Sequence, residues 1–430
     1  MDIKKIAKYS LDKLIAAGGE KVSVIASDRI KTEIQLEHGE INLYRTIPSS
    51  ALTLSVLLDQ RNAHFTLNDL SETEIDKAVL QVIEMAKNST QDPAFDIAPK
   101  HEPKSYKKGE LKPDTDQMYD RLAEFKKDYQ ENYPSILADA YVVHNYSHTY
   151  RTNSNGIAFD SEQGYYEFST MFSAKDKASV SSMNGDGAVL KDLNSPLIEC
   201  GLIKTYFDQI VGQMTTEQLE GKFQGDLVLL PQNVEFLIGT LLQSNLTVMP
   251  LMNKTSLLDG KVGEKIVSDK LTVTSTPDND EFALGSISIH EGLSPEITTI
   301  LDKGVLNTYL LGIYGANKTG YDVAKTDGSF LVVEPGNTPY DEMIKDVKEG
   351  LLLVRFSGGS PNAFGDISGV AKNSYYIKDG KIQYPVSEVM ISGNILDMLN
   401  NVKHVSKETK NTGASITPWI TIGDVTISGK

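Results

Sequence analysis

Cysteine is almost absent. The chain of 430 residues holds one, Cys200, so no internal disulfide framework can form, and a reducing compartment, the cytoplasm, is the expected location. Cys200 sits in "SPLIECGLIK", among apolar residues and without the local positive charge that stabilises a thiolate, which describes a buried, inert thiol. Long hydrophobic runs are also lacking. No window approaches the ~20 apolar residues of a membrane span, and "MDIKKIAKYSLDKLIAAGGE" at the start spaces its apolar residues helically between lysines, unlike a signal peptide or an anchor. Concentrated basic charge is missing too. The 42 Lys and Arg stand against 58 Asp and Glu, a net charge of −16, and the most basic runs, "PKSYKKGELK" and "KHVSKETK", are short and mixed with acids. A surface of this sign repels phosphate backbones, so direct nucleic-acid binding is not expected.

Catalytic signatures are equally scarce. His144 and His148 in "HNYSH" would share one face of a helix, but "YVVHNYSHTY" reads as a strand, along which four residues span about 13 Å, too far for two ligands of one zinc ion. "HEG" at His290–Gly292 has no second histidine one turn on and reads as a turn. The nearest approach to a nucleophile elbow is "GGSPN" (Gly358–Asn362), which lacks the final glycine and leads into no helix. The glycines of "RFSGGSPNAFGDISG" fit no phosphate-loop pattern. Asp341 and Glu342 stand at an apparent helix start, where acids complement the helix dipole.

What is present is periodicity. A 40% hydrophobic content over this length can form two or three cores, and the expected class is α+β in three units. Residues 1–92 read as a small α+β domain, with a helix over Ile3–Ala17 and alternating strands over Lys21–Asp28, Lys31–Asn42 and Ser49–Arg61, with "HGE" as a hairpin turn. A helix over Ser71–Ser89 then opens on a capping box, Ser71 with Glu74. Residues 93–113, rich in proline and lysine, read as a linker. Residues 114–220 read as a middle α+β domain: a helix over about 117–132, strands turning at "NSNG", and a helix over Ser195–Met214. Residues 221–430 read as a large β-dominated domain with inserted helices. Within it, "DLVLL" delivers the chain into "PQNVEFLIGTLLQS" (Pro231–Ser244), where Val234, Phe236, Leu237, Ile238, Leu241 and Leu242 recur on one helical face behind an N-terminal proline.

The C-terminal third carries a specific pattern. "EPGNTPYDEMI", "EGLLLV", "GDISGVAKNSYYIKDGKIQYPV" and "ISGN" follow in order, preceded by "GKVGEKI", "LTVTSTP" and "EGLSPEITTILDKGVLNTYL", with "LNDLSETEIDKAV" in the first unit. In these pieces the chain resembles the TldD/PmbA family, once described as modulators of DNA gyrase and better regarded as subunits of a metalloprotease. For the catalytic, TldD-like branch, the resemblance implies His-Glu-x-x-x-His on the helix after the strand, two zinc ligands and a general base, with a cysteine near the C-terminus. On a regular helix that ligand spacing lies about 140° off-face and needs a local distortion. Counting back from "GKVGEKI", those positions fall on Gly239, Thr240 and Ser244, and none supplies imidazole or carboxylate. The C-terminal "NTGASITPWITIGDVTISGK" has no cysteine. No catalytic residue, metal ligand or cofactor site is therefore expected.

The resemblance implies the PmbA branch, also called TldE: a non-catalytic subunit that holds extended or unfolded peptides while a separate chain bearing the motif cleaves them. Its partner would be that TldD-like chain, or a second copy of itself. Two other readings remain open at this point. One is a metal-free homodimeric binding or regulatory protein. The other is a hydrolase using a different site, through His290, Glu291 or the "SGGSPN" loop.

Overall fold

The computed structural model describes residues 2–429. The chain opens with helix α1 (Ile3–Ala16), whose N-cap Asp2 accepts a hydrogen bond from the Lys5 amide, and continues through strands β1 (Lys21–Glu37), β2 (Glu40–Leu58) and β3 (Arg61–Leu67) to α2 (Glu72–Asn88). After β4 (Lys104–Lys108) and α3 (Thr115–Asn132) come two long strands, β5 (Ile136–Asn153) and β6 (Ala158–Ala174), then β7 (Asn184–Leu190) and the short helix α4 (Ile203–Ile210). Strands β1 and β2 make one continuous hairpin turning at His38-Gly39, both with positive φ. The sequence pattern divides β1 in two at Arg29 because polar residues interrupt the apolar alternation there; cross-strand pairing carries the strand through.

One seven-stranded sheet runs in the order β3-β2-β1-β5-β6-β4, with β7 on β6. Residues 23–36 of β1 pair with 140–153 of β5, so segments 1–92 and 114–220, separate units on sequence pattern, share a single sheet. The segment between them contributes β4, parallel to β6. Helices α1 and α2 cover one face at the β1–β3 end, where Val22, Val24, Leu52, Leu54, Ile75 and Val82 are buried together. Helices α3 and α4 cover the β5–β6 end around Phe125, Phe168, Phe172 and Phe207.

Two local readings differ from the structure. Ser71 is the N-cap of α2 but its side chain makes no capping bond; the Ser71 amide instead donates to Asp69 Oδ1 at 2.9 Å. The helix expected over Ser195–Met214 is interrupted, because Gly201 takes φ +55 and any Cβ there would meet the Asp186 carboxylate. Only 203–210 remain α-helical, between two short 3₁₀ turns.

The remaining chain forms a thirteen-stranded sheet with helices inserted. In order these are β8 (Lys222–Leu229), α5 (Pro231–Asn245), α6 (Val248–Met252), β9 (Val273–Ser275), β10 (Thr298–Asp302), β11 (Val305–Leu306), α7 (Ile313–Thr319), β12 (Leu331–Val333) and α8 (Tyr340–Lys345). Then follow β13 (Glu349–Leu353), β14 (Arg355–Gly358), β15 (Asp366–Lys372), β16 (Tyr375–Lys378), β17 (Lys381–Pro385), β18 (Val389–Asn394), α9 (Ile395–Asn400), β19 (Val402–Asn411) and β20 (Ile416–Ser428). Strand β8 lies between parallel β13 and antiparallel β20, which is why "DLVLL" is apolar on both faces. Its buried Asp226 is paired with Lys403 at 2.7 Å. The architecture is α+β, as the sequence pattern indicates.

Contrary to the sequence-level expectation about hydrophobic runs, the stretch Pro231–Met252 reaches the length and mean hydropathy, 1.2, of a membrane-crossing helix. The backbone breaks it at Leu246–Thr247 into α5 and α6, and the apolar face of α5 lies in the core of the thirteen-stranded sheet.

Candidate functional site

The chain leaves the end of β8, at the centre of the second sheet, and enters α5 through Pro231, whose missing N–H falls where a helix has no acceptor for it. Val234, Leu237, Ile238, Leu241 and Leu242 are buried against the sheet; Phe236, which the sequence pattern places with them, is instead 41% exposed, because it falls on the opposite stripe with Gly239, Thr240 and Gln243, turned outward at helical spacing. Asn233 anchors the helix by donating to the carbonyls of Leu353 and Val354 at 2.8 and 3.2 Å. The three positions singled out by counting are all part-exposed. A Cβ built on Gly239 meets nothing within 4 Å, and Ser244 Oγ donates to the Thr240 carbonyl at 2.6 Å while accepting from Asn245. The zinc ion that the resemblance implies for the catalytic branch does not fit these residues: the outward face offers open space, two hydroxyls and no imidazole. The one carboxylate on α5, Glu235, has its pKa raised by desolvation. Among the described residues no three His, Cys, Asp or Glu side chains are grouped to hold a metal ion.

Beside this face lies a groove that sequence reasoning did not find. An apolar slot is formed where Phe236 and Leu237 of α5 meet Phe356 of β14 and Ile391 of β18, with the rings of Phe236 and Phe356 5.6 Å apart. It continues, across Ile367, Ser392 and Gly393, into a polar trough lined by Ser360, Asn362, Asp366 and Asn394. Among the described residues strand β14 pairs with β15 alone, which leaves its other edge free. These residues come from four separate elements, and no local spacing announces their meeting.

Several of the other residues raised by the sequence have partners within the chain. His144 is fully buried with Nε2 2.7 Å from the Glu110 carbonyl, and His148 is 2.8 Å from Asp160; strand β5 gives each its own partner. In the "SGGSPN" loop, Asn362 Oδ1 accepts from the amides of Phe364 and Asp366, and no histidine lines the adjoining trough to activate Ser360. Glu291 spends its two oxygens on the amides of Ile313 and Tyr314 at 3.0 and 3.2 Å.

Cys200 lies in the core beneath α3 and α4, and burial pushes its thiol up to about 11 from an ordinary 9.0. The unfolded chain therefore loses this proton first. Native stability is expected to fall as pH climbs from about 9 to about 11 and to be unaffected by this group below that interval. Disulfide-exchange titration at pH 8 is expected to detect no rapidly reacting thiol in the native chain and one in denaturant; rapid native reaction would contradict the burial.

Residues 222–429 match the family model described as PmbA/TldA metallopeptidase C-terminal domain. A metalloprotease of Methanothermobacter thermautotrophicus is 32% identical over 173 residues, which is 37% of this chain and 37% of that protein's length. A metalloprotease PmbA homolog of Haemophilus influenzae is 22% identical over 100% of this chain and 96% of its own. The crystal structure of TldE from Thermococcus kodakarensis superposes with a TM-score of 0.85 at 19% identity, covering 99% of both chains; at that identity the likeness concerns the fold.

Proposed function

We propose that this chain, whose residues 222–429 match the PmbA/TldA metallopeptidase C-terminal domain, is a non-catalytic, PmbA/TldE-like subunit of a cytoplasmic zinc metallopeptidase. It holds extended or unfolded peptide while a separate chain bearing His-Glu-x-x-x-His cuts it. The observation that carries this reading is the outward face of α5. The helix keeps its strand, its proline entry and its buried face, yet Gly239, Thr240 and Ser244 stand where the family's catalytic branch would place two ligands and a base.

The groove supports the substrate-holding half of the proposal. An extended peptide laid along the free edge of β14 can exchange backbone hydrogen bonds with it, which recognises strand shape with little sequence preference. The slot between Phe236 and Phe356 would take one apolar side chain of that peptide. The polar trough beyond it, lined by amide and hydroxyl groups and the Asp366 carboxylate, keeps the neighbouring backbone solvated. The residues of this chain thus bind and orient. Polarising the scissile carbonyl and activating water would fall to the zinc ion of the second chain.

A second surface suits that chain. Strand β3 pairs with β2 only at Leu52–Leu58, so residues 40–51 of β2 form an uncovered sheet edge, with Tyr44 60% and Ile47 40% exposed. Pro48 removes one donor from this edge, which limits indiscriminate pairing.

Affinity capture of this chain from its own cells, followed by mass spectrometry, metal analysis and a peptidase assay, tests the proposal. A stoichiometric partner carrying His-Glu-x-x-x-His is expected, with zinc and chelator-sensitive activity present in the complex and absent from this chain alone. Recovery of a metal-free homodimer under gentle conditions, or chelator-resistant peptidase activity from the isolated chain, would overturn it.

A further inference from the structure

The face of the first sheet that α1 and α2 leave bare is partly covered. The segment Phe95–Ile97 and a turn of the C-terminal half, His290 and Glu291, roof it over, leaving a cleft of about 380 Å³. The roof is tied down at several points: Phe95 stacks on Tyr314 with centroids 4.7 Å apart, Asn317 donates to the Ala94 carbonyl at 2.9 Å, and Lys318 pairs with Asp92 at 3.0 Å. The cleft is therefore a pre-formed pocket of small-ligand size between halves of the molecule.

Its charged groups are unevenly used. Asp96 is neutralised by Lys21 at 2.7 Å, and Glu291 is occupied by two backbone amides. Arg151, reaching in from β5, donates through Nη1 alone, to Ser288 Oγ at 2.8 Å and the His290 carbonyl at 3.0 Å. Its Nε and Nη2 make no hydrogen bond among the described residues. His290 adopts φ +39, a costly backbone for a ring-bearing residue, and its Nε2 is buried without a hydrogen bond. Both acids in the cleft are satisfied, while a guanidinium edge and an imidazole nitrogen are not. The imidazole nitrogen is buried and the guanidinium edge is part-exposed, and a ligand entering the cleft would complete both. The opposing floor alternates Ser23, Thr53 and Ser55 with the apolar Ile25 and Leu57, suited to a short chain carrying both amide and methyl groups.

We propose that this cleft binds a small, dipeptide-sized molecule through its carboxylate, which takes the free edge of the Arg151 guanidinium in the bidentate geometry that arginine offers and accepts a hydrogen bond from His290 Nε2–H. The site is separate from the α5 groove, and its ligand is retained by this chain whether or not a second chain is present. Burial disfavours the charge on Arg151, with Glu291 offsetting it in part; a bound carboxylate supplies the missing compensation.

Calorimetric titration of the purified chain alone with N-acetyl-dialanine, and in parallel with its C-terminal amide, tests the site independently of any protease partner. Saturable binding of the acid is expected, at least about tenfold tighter than the amide. Arg151→Gln should remove the preference, Arg151→Lys should keep part of it, and His290→Gln should weaken the acid alone. Circular dichroism establishes that each variant is folded; if Arg151→Gln does not fold, Arg151→Lys and His290→Gln decide the matter. Equal binding of acid and amide, no saturable binding of the acid at about ten millimolar, or an undiminished preference in folded variants would overturn the proposal.

Discussion

Substituting tryptophan for Gly239 is expected to lower the peptidase rate of the two-chain complex at least about tenfold, the equivalent of 1.4 kcal/mol, while the chain itself remains folded and bound to its partner. The argument is steric. A Cβ at Gly239 meets no atom within 4 Å, so the fold accepts a large side chain there, whereas the outward stripe of α5 with Phe236 is the wall along which substrate is proposed to lie. Glycine within a helix is also costly in chain entropy. Gly239→Ala should accordingly raise stability by about 0.5–1 kcal/mol, with a far smaller effect on the rate because one methyl obstructs little. Steady-state rates of complexes reassembled with each variant, beside thermal melts of the free chain, separate the two effects. An unchanged rate with Gly239→Trp in a fully assembled complex would mean that this face does not border the substrate path.

The second large effect concerns stability. Phe207 on α4 is fully buried and touches four other rings, with centroid separations of 4.7 Å to Phe172, 5.3 Å to Tyr133, 6.0 Å to Phe125 and 6.4 Å to Tyr129. These rings join α3, α4 and β6. Truncation to alanine removes a whole aromatic ring from a close-packed cluster that its neighbours cannot collapse to refill, so Phe207→Ala is expected to cost about 3–5 kcal/mol, a large share of the total stability of an ordinary domain. Urea denaturation should show the midpoint falling at unchanged slope. A loss below about 1 kcal/mol would show that the cluster repacks.

Much of the secondary structure was legible because its signals are local. The apolar spacing of Ile3–Ala16 and Pro231–Asn245, the glycine-bearing turns at 38–39 and 153–156, and the proline at the entrance of α5 each act within a few residues. The failures are equally specific. The 195–214 stretch has helical periodicity, but the buried carboxylate of Asp186 takes the Leu202 amide and holds Gly201 in a left-handed turn. The hydropathy of Pro231–Met252 depends on a core that a window average cannot see. β4 looked like a linker because an edge strand carries polar residues on its solvent side.

By itself, the sequence determined the α+β class, the family resemblance carried by its ordered C-terminal pieces, the isolation of Cys200, and the absence of imidazole and carboxylate at Gly239, Thr240 and Ser244. Residue identity and short-range periodicity suffice for those. Only the tertiary structure decided that residues 23–36 and 140–153 belong to one sheet, that Phe236, Phe356 and Ile391 border a common groove, and that Arg151 meets His290 across 139 positions of chain. Strand pairing and cleft formation follow from long-range backbone hydrogen bonds and shared burial, which no run of neighbouring residues encodes.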